Sequence, residues 1–287
     1  MRIRMLLMAG ALILVQIASP AAHAASTETA SAGHGDTVLL NASEILTLRQ
    51  HEDAFTAILR ECTAHLKNTA SPVPVFAPAP HDIATGLNGS NNNGKQLAVD
   101  AHVAYQAGLC FLRSGDTHFA KHAQHIVDAW AGTLKQVPTP RGKDNINFKM
   151  PYMIMAASWV RGAGDWNSAT FNNFLLHTVL PVPETRNPNN HGAWGVLLEA
   201  SAAAYLDNAE RSNAARSRWQ TLIEGAVAAD GSLSREISRS GTSNWHGGPG
   251  KGIKGLAYTH DFLLPASEPT TPTRYCRPQG PASSVHG

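Results

Sequence analysis

The segment Asn187–Trp194, NPNNHGAW, sets a group of Asn residues, a His and a Gly directly before an apolar run. At the start of a helix such a group gathers polar side chains and unpaired backbone N–H groups, which together suit a carboxylate. It also reads as a plain turn with an Asn cap. A second segment, Asp230–His246, DGSLSREISRSGTSNWH, opens on a DG turn and crowds Arg235, Glu236 and Arg239 with Ser243, Asn244, Trp245 and His246. Arg beside an aromatic face is what a sugar cleft requires, the ring for CH groups and the guanidinium for a carboxylate. A surface hairpin tied by salt bridges fits this segment equally. A third, Gly247–Leu263, GGPGKGIKGLAYTHDFL, combines glycines with Lys251 and Lys254 and leads into Tyr258 and His260. It lacks GxxxxGK[ST] and follows no strand, which excludes a nucleotide loop; its lysines suit anionic sugars instead.

Composition narrows the remaining classes. Charged residues make up 15% and the formal net charge is +2, without the basic stripe of a nucleic-acid binder. The 14 histidines show no HExxH or comparable ligand spacing, so no metal and no cofactor is expected. The three cysteines exclude a disulfide scaffold. Cys62 and Cys110, both in helix-like segments, form either a pair or two separate buried thiols.

The elements that must position these residues are helical. Residues 1–24 read as a signal peptide: Arg2 and Arg4, an apolar run from Met5 to Ile17, then Ala22-His23-Ala24 as a cleavage site. Periplasmic or secreted localisation and no membrane segment after cleavage follow as expectations. Residues 25–40 read as a flexible leader, 41–265 as one all-α domain and 266–287, rich in Pro, Ser and Thr, as a disordered tail. Within the domain Ser43 reads as an N-cap for a helical run reaching Leu66. Asn88–Gly94 reads as a loop. Helices are expected over Leu97–Arg113, His118–Val137 (capped by Asp116), Met150–Arg161 with Pro151 in its first turn, Asn167–Leu180, Asn190–Leu206 and Ala209–Ala229. Sustained period-2 alternation is absent. Helices joined by short turns imply antiparallel hairpins in a bundle, a solenoid or an (α/α) toroid.

The NNHGAW segment followed by an Ala-rich helix, then DG-x-L-x-x-E, resembles the alginate lyase family, polysaccharide lyase family 5 and its relatives. The stretch Ala104–Trp130 resembles the family's helix pair ending in Ala-Trp, so the resemblance spans roughly residues 95–264. It implies an incomplete (α/α) toroid and metal-free β-elimination on an anionic uronate polysaccharide; a monomer is expected. Removing the C5 proton requires neutralising the adjacent carboxylate, a base, and protonation of the departing O4. By resemblance Asn190 bonds the carboxylate, His191 neutralises it or acts as base, Arg239 assists and Tyr258 serves in acid/base chemistry. Trp194, Trp245, His246, Lys254 and His260 are the expected substrate-binding residues. Two departures stand out: Lys254 occupies the place of the family's Arg, and Asp261 that of its catalytic Tyr. The family continues with further helix where this chain has its Pro-rich tail, so an altered C-terminus is expected. A catalytically inactive periplasmic binder of anionic polysaccharide is the alternative. A toroid hydrolase would instead need carboxylates paired across a cleft, drawn from Asp100, Asp128, Asp144 and Glu236.

Overall fold

The computed structural model describes residues 37–50, 55–79, 93–237 and 252–267. In order come α1 (Ala42–Gln50), α2 (Thr56–His65), α3 (Asn93–Ser114), α4 (Thr117–Thr133), α5 (Pro140–Val160), α6 (Ala169–Phe174, extended by a π-helical turn Leu175–Val179), α7 (Asn190–Tyr205), α8 (Ala209–Ala226), α9 (Ser234–Ile237) and α10 (Gly252–Ser267). Among the described residues the only strand-like feature is an isolated parallel bridge between Val75 and Gln136. No helix among them is long and apolar enough to cross a membrane.

Helix starts follow their caps. The Asp116 side chain accepts the His118 N–H at 2.9 Å, as its position before α4 predicts. At α1 the cap is Asn41, not Ser43. Asn41 Oδ1 accepts the Glu44 N–H at 3.0 Å and Glu44 Oε2 accepts the Asn41 N–H at 2.9 Å, a reciprocal pair that requires a three-residue offset. Asn93 and Gly94 belong to α3 and not to the preceding loop.

The largest correction concerns α5. It begins at Pro140, ten residues before the expected Met150, with the Thr139 hydroxyl accepting the Gly142 N–H at 3.0 Å. Pro140 occupies the first-turn position where a missing N–H costs little, and Pro151 lies in the helix interior. An interior Pro costs about 3 kcal/mol. Met150, Met153 and Ile154 are all fully buried beside it, and each contributes roughly 1.5–3 kcal/mol, so burial outweighs the lost bond.

α3 packs on α4 and α5, α5 on α7, and α7 on α8 and α10. α7 is therefore enclosed, with buried residues all around it, from Asn190 to Tyr205. Cys62 of α2 and Cys110 of α3 are joined in a disulfide across a Cα–Cα distance of 6.6 Å, worth about 2–4 kcal/mol. Packed structure begins by Val38, within the stretch read as a leader: its N–H donates to Ser158 Oγ at 3.2 Å and its carbonyl accepts the Trp159 indole N–H at 3.1 Å.

Candidate active site

The NPNNHGAW segment forms the entry to α7, and its Asn residues divide the work. Asn189 is the cap, its side chain accepting the His191 N–H at 3.0 Å. Asn190 is the first helical residue and is buried at 2% exposure. Its own N–H donates to the buried Glu236 carboxylate at 2.5 Å, so Glu236 satisfies one of the orphan donors of α7. Its side-chain amide donates to Asp261 Oδ2 at 2.5 Å.

His191 follows, half-buried. Its Nδ1 lies 2.7 Å from Asp144 Oδ1, with side-chain exposures of 23% and 20% for the two residues, so the pair sits at an accessible edge of the core. An Nδ1 proton shared with a carboxylate leaves Nε2 as the lone-pair nitrogen. α5 supplies this partner by its periodicity: Asp144, Phe148 and Tyr152 recur every four residues and so share one face. The Phe148 ring meets His191 edge-on at 5.1 Å between centroids. Phe148 and Tyr152 each lie 5.9 Å from the Trp194 ring, and Tyr105 of α3 lies 5.3 Å from Tyr152. This row of rings fixes the imidazole between a carboxylate and an aromatic edge.

The connection before α7 closes the other side. A Cβ at Gly192 would fall 1.8 Å from the Asn187 carbonyl oxygen, and one at Gly195 2.9 Å from the Glu184 carbonyl carbon. Only glycine admits the backbone of 184–187 against this face of α7. The segment is tied down by Arg218 Nε donating to the Thr185 carbonyl at 2.6 Å and by Asn187 Nδ2 donating to Glu184 Oε2 at 3.1 Å. Glu184 is thereby brought beside His191 and Asp144, with a ligand atom from each of the three within 4.8 Å of the others.

The other expected residues divide as follows. Trp194 is not an open platform: it is 5% exposed, and its indole N–H donates to Asp261 Oδ1 at 3.2 Å. Tyr258 is half-buried on α10, and His260 is exposed on the same helix. Lys254 lies in α10, with its side chain outside the described residues, as are Arg239, Trp245 and His246 altogether. The carboxylates weighed for a hydrolase each have a separate partner. Asp100 accepts from Trp130 and the Ser71 N–H, both near 2.9 Å. Asp128 accepts from Trp166 at 2.8 Å, and burial pushes its carboxyl up against that bond. Glu236 and Asp144 hold Asn190 and His191. Glu184, Phe148 and Tyr152 were not singled out by sequence; the last two were findable from their four-residue spacing with Asp144, whereas Glu184 sits in a connection with no periodic signal.

The alginate lyase family model matches residues 84–260. No curated protein matches the chain by sequence. Among solved structures, an alginate lyase from Bacteroides ovatus aligns with a TM-score of 0.57 at 17% identity, covering 81% of this chain and 76% of that one. Alginate lyase A1-III from Sphingomonas species A1 aligns with a TM-score of 0.59 at 17% identity over 78% of this chain and 67% of that one. A histidine-to-alanine variant of A1-III complexed with a tetrasaccharide aligns with a TM-score of 0.58 at 16% identity over the same shares, 78% and 67%. The helical architecture is thus the (α/α) toroid of these enzymes. With the family model covering well over half of its length, the chain belongs to the alginate lyase family.

Proposed function

We propose that this protein is a polysaccharide lyase that cleaves alginate or a related polyuronate by β-elimination. The observation that carries this reading is the His191–Asp144 pair, 2.7 Å apart at the accessible entry to α7. With Nδ1 engaged by the carboxylate, Nε2 is oriented to take the C5 proton of a uronate, and the imidazolium so formed is stabilised by Asp144. Asn190 and Arg239 are assigned to the substrate carboxylate and Tyr258 to protonation of O4. The Asn190 amide already bonds one carboxylate, that of Asp261, a contact of the kind a uronate carboxylate would make. The half-buried rings of Tyr105, Phe148 and Tyr152 suit sugar CH faces. Trp245, His246, Lys254 and His260 complete the expected substrate contacts, while the buried Trp194 backs the site through its bond to Asp261. We place the mature protein in the periplasm or outside the cell, as a monomer; the Cys62–Cys110 disulfide supports the compartment alone, through its need for oxidising conditions.

One observation favours the alternative of an inactive polysaccharide binder. Asp261, standing where the family's catalytic Tyr is expected, satisfies both the Asn190 amide and the Trp194 indole. The deciding experiment incubates the full chain with alginate and other polyuronates and follows the ultraviolet absorbance of the unsaturated product. A steady rise supports the lyase; saturable binding without any rise supports the binder.

A further inference from the structure

We propose that Asp144, Glu184 and His191 form a binding site for a divalent transition-metal ion of the zinc class. One ligand atom of each lies within 4.8 Å of the others, close enough for a single ion to draw all three in with small side-chain adjustments. They come from α5, from the connection before α7 and from the first turn of α7, three separately anchored parts of the backbone. None pairs with a Lys or Arg among the described residues; their only ion pair there is His191 with Asp144. Among the described residues two carboxylates thus lie beside one imidazole, a local negative charge that a cation offsets. Calcium and magnesium favour oxygen-only ligand sets. One imidazole nitrogen with two carboxylate oxygens suits zinc, cobalt or nickel and leaves a coordination position open. The Glu184 carboxylate is already oriented by the Asn187 amide at 3.1 Å, the kind of outer support that fixes a ligand.

The site has a consequence for catalysis, which, unlike the binding itself, rests on the lyase reading of His191. The nitrogen turned toward Asp144 is Nδ1. An ion bound there replaces the hydrogen bond to Asp144, and the ring proton moves to Nε2. The ring then has no lone pair with which to take a C5 proton, so the bound ion inhibits.

The test uses the full chain stripped with a chelator and titrated with Co²⁺, read by its visible d–d absorption and by displacement with Zn²⁺. Saturable uptake of a single equivalent is expected. Glu184→Gln and Asp144→Asn should each weaken it on the order of tenfold or more, with circular dichroism checking that both variants fold. Absence of saturable bands, or bands unchanged in both variants, overturns the site. In parallel, Zn²⁺ should suppress polyuronate turnover over the concentration range in which it displaces Co²⁺. If turnover continues with the site filled, the inhibitory role is wrong. If Co²⁺ binds as expected but the stripped chain turns over no polyuronate, the lyase reading fails and the metal site stands.

Discussion

Across the contact of α7 with α10, the Asn190 side-chain amide donates to one oxygen of Asp261 at 2.5 Å, while the Trp194 indole donates to the other at 3.2 Å. A single carboxylate thus ties α10 to the helix that carries His191. Hydrogen bonds to charged acceptors contribute about 1.5–3 kcal/mol each. Asp261→Ala should therefore lower stability by about 3–6 kcal/mol in urea unfolding, because both donors lose their acceptor. Asp261→Asn, which retains an acceptor oxygen, should cost less.

Asp144 acts on the reaction through His191 and is a positioning residue. Asp144→Asn should lower kcat about 10- to 100-fold and leave KM near its native value, since no substrate contact is removed. The pH profile of kcat should shift with it. A change in KM alone would place Asp144 in substrate binding instead.

Much of this arrangement was legible in the sequence, and the exceptions have physical causes. Helical spacing without alternation gave the all-α fold, and NPNNHGAW marked the start of α7. The Asp144–His191 pair was hidden because α5 was expected to start at Met150, with Pro151 taken as the first-turn proline. Thr139 and Pro140 are the actual start signal, and they put Asp144 on a helix face shared with Phe148 and Tyr152. Glu184 could not be found at all: it reaches His191 only because Gly192 and Gly195 let a connecting segment lie against α7. Similarly, the Asp261 position read as a lost tyrosine, whereas its role as an acceptor for Asn190 depends on how α10 packs.

Gly192 offers a direct test of that close approach. In Gly192→Ala the added methyl would meet the Asn187 carbonyl oxygen at 1.8 Å, which neither backbone can accommodate without moving. Overpacking of this kind costs typically 1–3 kcal/mol. We expect a loss at the upper end of that range, a lowered melting temperature, and impaired turnover as the 184–187 segment shifts away from His191.

Acid stability should depend on histidines outside the site. Partial desolvation, then the neighbouring His65, holds the largely solvent-facing His102 below the ordinary value of 6.5, and burial, then His125, does the same for the half-buried His122. Both groups bind fewer protons folded than unfolded. Their contribution is full above pH 6.5 and is lost as the pH falls through their lowered folded values. A His102→Gln, His122→Gln double variant should flatten the fall in melting temperature on the acid side of neutrality. An unchanged slope would show that other groups govern it.

The central claim is that His191 takes the proton. His191→Ala, assayed on polyuronate by the absorbance of the unsaturated product, should lose about 10²–10⁴-fold in kcat while still binding the polymer. Turnover comparable to that of the native chain would contradict the account.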